Sequence, residues 1–450
     1  MRNFRSGLRR LRRDQAGGMA VMLALSLLPL SLAAISAVDL IRGLGTRNHL
    51  QDALDAAALA VARSDAVTAD QVLAIGRRVL ALNLGPDVQA ASNFTLNDQG
   101  VVIATASTVS PTALYKPLTG ADLTVDAHSE VTRSSNNVEL AMVLDVTGSM
   151  KGTKLQDLKS AAISLIDLVV KDQQTPYYSR AALIPYSNVV NPGGYLGNVR
   201  NPLEWGTGAD VPGKQWMTFQ NANREWVTFR GTDCVTERTD QNQFNDVAPV
   251  KVGTKLKNTV GYHYLPQGSA CLASQIVPLT SNKTTLKNTI GAFKAEGSTA
   301  GHIGLAWGWY AVSPNWAAIW PADVKPHPYR ERKLIKAIVL MTDGEFNTAY
   351  HNGVIARDSG SGSGGAQDHH IGDADNGSSF SQADRLCAAV KAQGVLIYSV
   401  GFALKDRDAI TIMNRCASKP EYVYLPNSGA DLKQAFRDIG QDINNLRISK

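Results

Sequence analysis

Between Gln15 and Val38 the chain carries no charged side chain, and Met19 to Ala37 within that run is strongly apolar. A helix of this length spans a bilayer core of ~30 Å. Arg2, Arg5, Arg9, Arg10, Arg12 and Arg13 stand in front of it against one acid, Asp14. Arginines massed on one flank hold that flank in the cytoplasm and send the rest of the chain across. The alternative is a cleaved signal peptide, but the run is long for one. It also passes into Asp39-Leu40-Ile41-Arg42 without a clear small-x-small stop. The expectation is a basic cytoplasmic arm at residues 1–14 and an uncleaved, single-pass anchor at 15–42.

The arm also explains the charge of the chain. The net charge is +6 over 450 residues, and nearly all of it lies in the first fourteen. The remainder is almost neutral and offers no stripe for phosphates, so nucleic acid is not an expected partner. Cys234, Cys271, Cys387 and Cys416 all follow the apolar run. In an oxidising compartment an even set forms two disulfides, and four cysteines allow three pairings. Nearest-neighbour pairing, Cys234 with Cys271 and Cys387 with Cys416, is the simplest. No CxxC-like pair or close histidine marks a zinc site.

Hydrophobic period then divides the exported part. Leu50, Leu54, Ala57, Ala58 and Val61 line one face of a helix at Leu44 to Arg63, and Val72, Ile75, Val79 and Leu82 do so in a second helix from Asp70. Near Val101 the period changes to two, and Leu123 to Val131 alternates apolar with polar. Residues 43–133 therefore read as a small α+β module beside the membrane. Ser134 to Asn137 mark a joint, after which strands and helices alternate. Strands are expected at Glu139 to Leu144, Ala181 to Tyr186, Ile276 to Leu279, Ile335 to Met341 and Val395 to Phe402. Helices are expected near Thr153 to Val170, Lys283 to Phe293, His302 to Tyr310, Ser381 to Ala392 and at the chain end. That order predicts an α/β fold, a doubly wound and mainly parallel sheet covered on both faces. Two segments interrupt it. Residues 188–273 are polar and rich in Gly and Asn, and residues 344–378 hold a Gly-Ser run and read as flexible.

One constellation carries chemistry. Asp145-Val146-Thr147-Gly148-Ser149-Met150 follows the first strand of the sheet, so a carboxylate and two hydroxyls share one short loop. Gly297-Ser298-Thr299-Ala300 precedes a helix, and Met341-Thr342-Asp343-Gly344 ends the most apolar strand. All three loops fall at the carboxyl edge of the sheet, where open α/β folds bind ligands. Hard cations such as Mg²⁺ take oxygen ligands of this kind. An isolated Asp-x-Thr-x-Ser is usually a turn with a helix cap; three such loops in this order point to a metal.

This pattern resembles the metal-ion-dependent adhesion site of the von Willebrand factor A domain: Asp-x-Ser-x-Ser, a distant Thr, then a distant Asp. Carried over by position, the ligands are Asp145, Thr147, Ser149, Thr299 and Asp343, with Thr147 where serine is usual. The resemblance covers roughly residues 138–446. It implies Mg²⁺, or another divalent cation such as Mn²⁺ or Ca²⁺, with one coordination position open to a carboxylate of a protein partner. It also implies that residues 188–273 and 344–378 flank the metal and that 313–330 lie on the opposite edge.

The N-terminus adds a second resemblance. Arg13-Asp14-Gln15-Ala16-Gly17-Gly18, the apolar run, Ala37-Val38-Asp39 and the final Leu446-Arg447-Ile448-Ser449-Lys450 are similar to TadG-like proteins of the bacterial tight-adherence (Flp) pilus-assembly systems. Such a protein would sit in the bacterial cell membrane with its main domain, residues 134–450, periplasmic or extracellular. Its partner would be a pilus or envelope component.

Other signals weigh less. The seven tryptophans lie between 205 and 320 and are expected mostly to pack a small core of the insertion. His369-His370 with Asp368, Asp373 and Asp375 reads as a solvated loop, because the calcium-loop pattern is incomplete. Ser149 has no His/Asp partner set and no Gly-x-Ser-x-Gly elbow occurs, so an enzyme is not expected. A metal-dependent hydrolase would need His302 or Glu345 as general base. A mainly structural envelope role, with the metal only stiffening the domain, is the other alternative.

Overall fold

The computed structural model describes residues 15–448, apart from 65, 67, 98–99, 133–135, 201–215, 239–240, 250–257 and 261–270. The basic arm, Trp205 and Ser449-Lys450 lie outside the described residues. The chain divides into two compact units, residues 1–134 and 135–450.

In the first unit, α1 runs unbroken over Gln15–Arg63. Its apolar stretch leaves Val21, Met22, Leu23, Leu25, Leu27 and Leu30 exposed, and the helix is long and apolar enough to cross a membrane. Sequence reading separated the anchor from a helix starting at Leu44; the structure joins them. The helix continues through Gly43, where a side chain would come within 3.1 Å of Leu123. Helix α2 (Ala69–Leu84) begins with a capping box between Thr68 and Gln71. Strands β1 (Ala91–Leu96), β2 (Val101–Ser110) and β3 (Leu123–Thr132) form an antiparallel sheet. Both helices pack on it, burying Leu50, Leu54, Val61, Val72, Phe94 and Val102 together. Asp39 caps the short helix α3 (Tyr115–Thr119), its carboxylate accepting from the N–H groups of Ala113, Leu114 and Tyr115.

In the second unit a six-stranded sheet has the order β14-β13-β10-β4-β5-β9. These strands are β4 (Asn137–Asp145), β5 (Ser179–Tyr186), β9 (Val277–Thr280), β10 (Leu334–Thr342), β13 (Leu396–Gly401) and β14 (Val423–Tyr424). All neighbours are parallel except β5 and β9, so the sheet is mainly parallel with one antiparallel edge. Helix α4 (Thr153–Val169) packs with α5 (Lys283–Ala292) and with α9 (Gly429–Ile448). Helix α6 (Gly301–Val312) packs with α7 (Ser379–Ala392), and α7 with α8 (Arg407–Cys416). The alternation expected from sequence is present, and α8 and β14 are additions to it. Cys387–Cys416 ties α7 to α8, and Cys234–Cys271 closes the insertion.

The described part of the insertion holds more regular structure than its polar composition suggested. Strands β6 (Trp216–Gln220), β7 (Trp226–Val235) and β8 (Asn258–Val260) form a small sheet of their own. Residues 344–378 also fold, contrary to the flexible loop expected. Strands β11 (Tyr350–His351) and β12 (Val354–Ile355) pair as a hairpin. The Gly-Ser run is held by Asn347, whose Nδ2 donates to Ser361 O at 2.9 Å and whose O accepts from Gly360 N at 2.8 Å. Backbone hydrogen bonds to one asparagine achieve what apolar burial could not in so polar a segment.

The tryptophans also depart from expectation. Trp307, Trp309, Trp316 and Trp320 are buried on or just after α6, in the core of the main domain. Trp316 stacks on Tyr310 at 4.0 Å, with Arg238 of the insertion 5.3 Å over the Tyr310 ring. Trp226, in the insertion, is 74% exposed. Arg238 of the insertion thus reaches the aromatic cluster of the main domain, while Phe219 and Phe229 stack within the insertion's own sheet.

Helix α6 is buried on nearly every side, and two glycines let it lie directly on the sheet. A Cβ at Gly304 would come within 2.6 Å of the Tyr186 ring, and one at Gly308 within 2.4 Å of Val143 Cγ2. Gly308→Ala should therefore cost about 1–3 kcal/mol through overpacking, read as a lower denaturant midpoint. Gly291→Ala, at an open position of α5, should be neutral or slightly stabilising. Equal midpoints for the two variants would show that α6 is not pressed against β4.

Candidate metal centre

Asp145 is the last residue of β4, and its cross-strand partner in β5 is Tyr186. On the other side, Leu144 pairs with Met341 of β10, so Thr342 and Asp343 follow at the same edge. Parallel pairing in this register brings the first and third loops of the sequence pattern together.

Asp145 is fully buried and each of its oxygens is occupied. Oδ1 accepts from Thr147 N at 2.9 Å, which folds the loop back over the strand end. Oδ2 accepts from Thr342 Oγ1 at 2.8 Å, with Tyr186 Oη and Asp343 N each at 3.4 Å. Thr147 Oγ1 lies 2.8 Å from Ser149 Oγ, and Ser149 Oγ donates to Asp343 Oδ1 at 2.6 Å. The other oxygen of Asp343 accepts from Lys154 Nζ at 2.7 Å. Thr147 and both aspartates are buried while Ser149 is exposed, so the cluster opens to solvent at Ser149.

The second loop is stitched on by its backbone. Gly148 N donates to Gly297 O and Glu296 N to Val146 O, both at 2.9 Å. Gly297 has φ +82, and a Cβ there would come within 2.3 Å of Asn188 Oδ1, so only glycine fits. Asn347 clamps Thr299, accepting from its N at 3.0 Å and donating its own N–H to Thr299 O at 3.0 Å. The two neighbouring hydroxyls then differ. Ser298 Oγ accepts from Thr348 Oγ1 at 2.8 Å, whereas the Thr299 hydroxyl has no hydrogen bond among the described residues. Thr299, of the pair, is the one left available to a ligand.

Two facing carboxylates in a buried site repel each other. Burial first, and the charge of Asp343 second, push the Asp145 carboxyl up to about 6, while hydrogen bonds from Thr147 and Thr342 pull it back. Burial also raises the Tyr186 hydroxyl, helped by the charge of Asp145. A hard divalent cation suits this donor set: two carboxylates for charge, three hydroxyls to complete a shell, and no soft ligand.

Sequence reading missed Tyr186, Thr342 and Lys154. Tyr186 was visible only as a strand end, and its place opposite Asp145 is a fact of register. Lys154 gave no signal in sequence beyond a basic residue early in a helix. The other candidates resolve differently. His302 Nε2 is 2.5 Å from Glu237 Oε2 of the insertion and the pair is buried, while Glu345 is exposed. His370 stacks on His351 at 4.1 Å, and burial with the His351 charge pushes it down to about 4. Asp373 pairs with Arg357 and Asp375 with His351. Among the described residues, His, Cys, Asp and Glu form no metal-holding group of three or more.

Residues 17–64 match the Flp pilus-assembly TadE/G-like family profile. No curated protein matches the chain in sequence. Solved structures with a similar arrangement include the pilus adhesin SpaC from Lactobacillus rhamnosus GG, at 13% identity and TM-score 0.36, covering 80% of this chain and 35% of that one. The vWF domain of the type V pili tip protein Mfa5 from Porphyromonas gingivalis is 12% identical with TM-score 0.39, covering 70% and 97%. Proximal thread matrix protein 1 of the mussel byssus, with a zinc-occupied MIDAS motif, is 12% identical with TM-score 0.32, covering 69% and 48%. The chain spans about a third of the length of SpaC. The assignment of fold stands on the strand order and the three loops, not on these likenesses. A segment similar to the TadE/G-like family at residues 17–64 is thus followed, from residue 137, by a mainly parallel six-stranded α/β sheet that carries the three loops at one edge.

Proposed function

We propose that this chain is a membrane-anchored, extracytoplasmic component of Flp pilus assembly that binds a protein partner through a divalent cation. Asp145, Thr147, Ser149, Thr299 and Asp343 would hold the ion, with Mg²⁺ the first choice and Mn²⁺ or Ca²⁺ the alternatives. The observation that carries this reading is the convergence of three loops on one sheet edge, with the hydroxyls of Thr147 and Ser149 linked in sequence to Asp343. Once bound, the cation supplies a Lewis-acidic point to which a partner's carboxylate can add. Asp145 and Asp343 would set its charge, and the exposed edge at Ser149 would be the side from which a partner approaches.

The insertion and the 344–378 loop supply the surroundings. His302, on the first turn of α6, binds Glu237 of the insertion, and Glu237 also accepts from Tyr350 N at 3.2 Å. The three segments brace one another beside the metal edge, so the partner would meet a rigid rim. Pilus or envelope proteins are the partners we infer, with the α1 helix as anchor and the main domain outside the cytoplasm.

A structural reading has one observation of its own, the separate buried core of residues 1–134. Removing residues 138–450 separates the two: pilus assembly should fail if partner docking matters, and would survive if the membrane-proximal unit does the work. Asp145→Ala should abolish Mg²⁺-dependent capture of partner from envelope extract by the 134–450 segment while its far-ultraviolet circular dichroism is unchanged. Capture that persists in chelator would refute metal-mediated docking.

The raised carboxyl of Asp145 adds a pH signature. Its folded value, about 6, lies above the unfolded value near 3.9, so the folded state holds the proton more tightly. In chelator this contribution to stability is fully present below about pH 4 and is lost as pH rises through about 6. A metal must displace that proton. Mn²⁺ affinity by calorimetry should therefore be on the order of tenfold weaker at pH 5 than at pH 7.5, and a flat profile would count against Asp145 as a ligand.

A further inference from the structure

Lys154 is the second residue of α4, the helix that follows the Asp145 loop, and its ammonium donates to Asp343 Oδ2 at 2.7 Å. The Asp343 side chain is fully buried, while that of Lys154 is 35% exposed and lies at the rim. The start of the helix does not favour a cation there, and Lys154 pairs with Asp343 rather than with Asp157 one turn on. The first turn of α4 contains no acidic residue, and the positive end of a helix dipole repels a lysine. The chain reaches this point through Gly152 at φ +84, the turn that sets where α4 begins and so where Lys154 emerges. Asp343 is thus the group that holds the ammonium in place.

We propose that Lys154 is a built-in counter-ion that competes with the divalent cation for Asp343 and sets how much cation is needed to load the site. The proposal rests on the metal-site reading above. Asp343 has two oxygens, one taken by Ser149 and one by Lys154. A divalent ion bound to Asp343 meets a full positive charge within a few ångströms unless the ammonium swings outward, and its partial exposure leaves it a route to do so. The lysine thereby lowers cation affinity and at the same time spares Asp343 an unpaired buried charge. The consequence is a site that stays folded without cation and needs a higher cation concentration to load.

The test uses the full chain in detergent micelles, with Mn²⁺ as the probe. Mn²⁺ binding is measured by calorimetry, and thermal midpoints are measured in chelator, for the wild type, Lys154→Gln, Lys154→Arg and Asp145→Ala. Lys154→Gln removes the charge and should bind Mn²⁺ about tenfold or more tightly than wild type, while Lys154→Arg should stay near wild type. In chelator, Lys154→Gln should melt below wild type, and saturating Mn²⁺ should erase the difference. Equal or weaker Mn²⁺ binding by Lys154→Gln, with wild type still binding and Asp145→Ala not, overturns the counter-ion role and leaves the metal site standing. If wild type itself does not bind Mn²⁺, the metal-site reading falls and this proposal with it.

Discussion

Asp145 ends β4 and Asp343 directly follows its parallel neighbour β10, and both carboxylates are buried at the same edge. Like charges this close and this dry are unfavourable, and much of the surrounding structure offsets them. Thr342 and Tyr186 donate to Asp145, Ser149 and Lys154 donate to Asp343, and backbone N–H groups complete the set. Burial first, and the charge of Asp343 second, still push the Asp145 carboxyl upward. A divalent cation fits two buried carboxylates and neighbouring hydroxyls, since it supplies positive charge between like charges.

The rest of the domain is arranged to hold those strand ends in register. A second pair of opposite charges, Glu139 and Lys336, faces across the same two strands near their amino ends. Glu139 also accepts from Tyr178 Oη and His327 N at 3.0 Å each, and Lys336 donates to Val312 O at 2.8 Å. A slip of one residue would break this buried ion pair, so the pair favours the register that brings Asp145 beside Asp343. From the other direction, Gly304 lets α6 lie on the Tyr186 ring and so keeps the tyrosine against Asp145. Two insertions then brace the open edge through Glu237, His302 and Asn347.

Much of this was legible along the chain because its periodicities are strong. Leu140 to Leu144 and Ala337 to Met341 are unbroken apolar runs, as strands buried on both faces must be. The helices declared themselves by Leu155, Leu158, Ala162 and Leu165, and by Leu432, Phe436, Ile439 and Ile443. Where the reading failed, local signals were short or polar. Strand β14 has two residues, and the β6–β7 hairpin alternates Trp-Met-Thr-Phe-Gln inside a segment dominated by Gly and Asn. The Gly-Ser run at 359–365 has the composition of a linker, yet Asn347 closes it by hydrogen bonds that composition does not encode.

By itself, the sequence determined the apolar helix at the N-terminus, the alternation that makes a mainly parallel sheet, and the loops on which Asp145, Thr147, Ser149, Thr299 and Asp343 stand. Each of these depends on neighbours within a few residues, through hydrophobic period or the residue types at a strand end. Only the tertiary structure decided that Ser298 is spent on Thr348 while Thr299 is not, that Tyr186 and Thr342 share the load on Asp145, and that Lys154 occupies an oxygen of Asp343. Those are contacts between residues about forty to two hundred positions apart. They follow from register and helix placement, which no local pattern specifies.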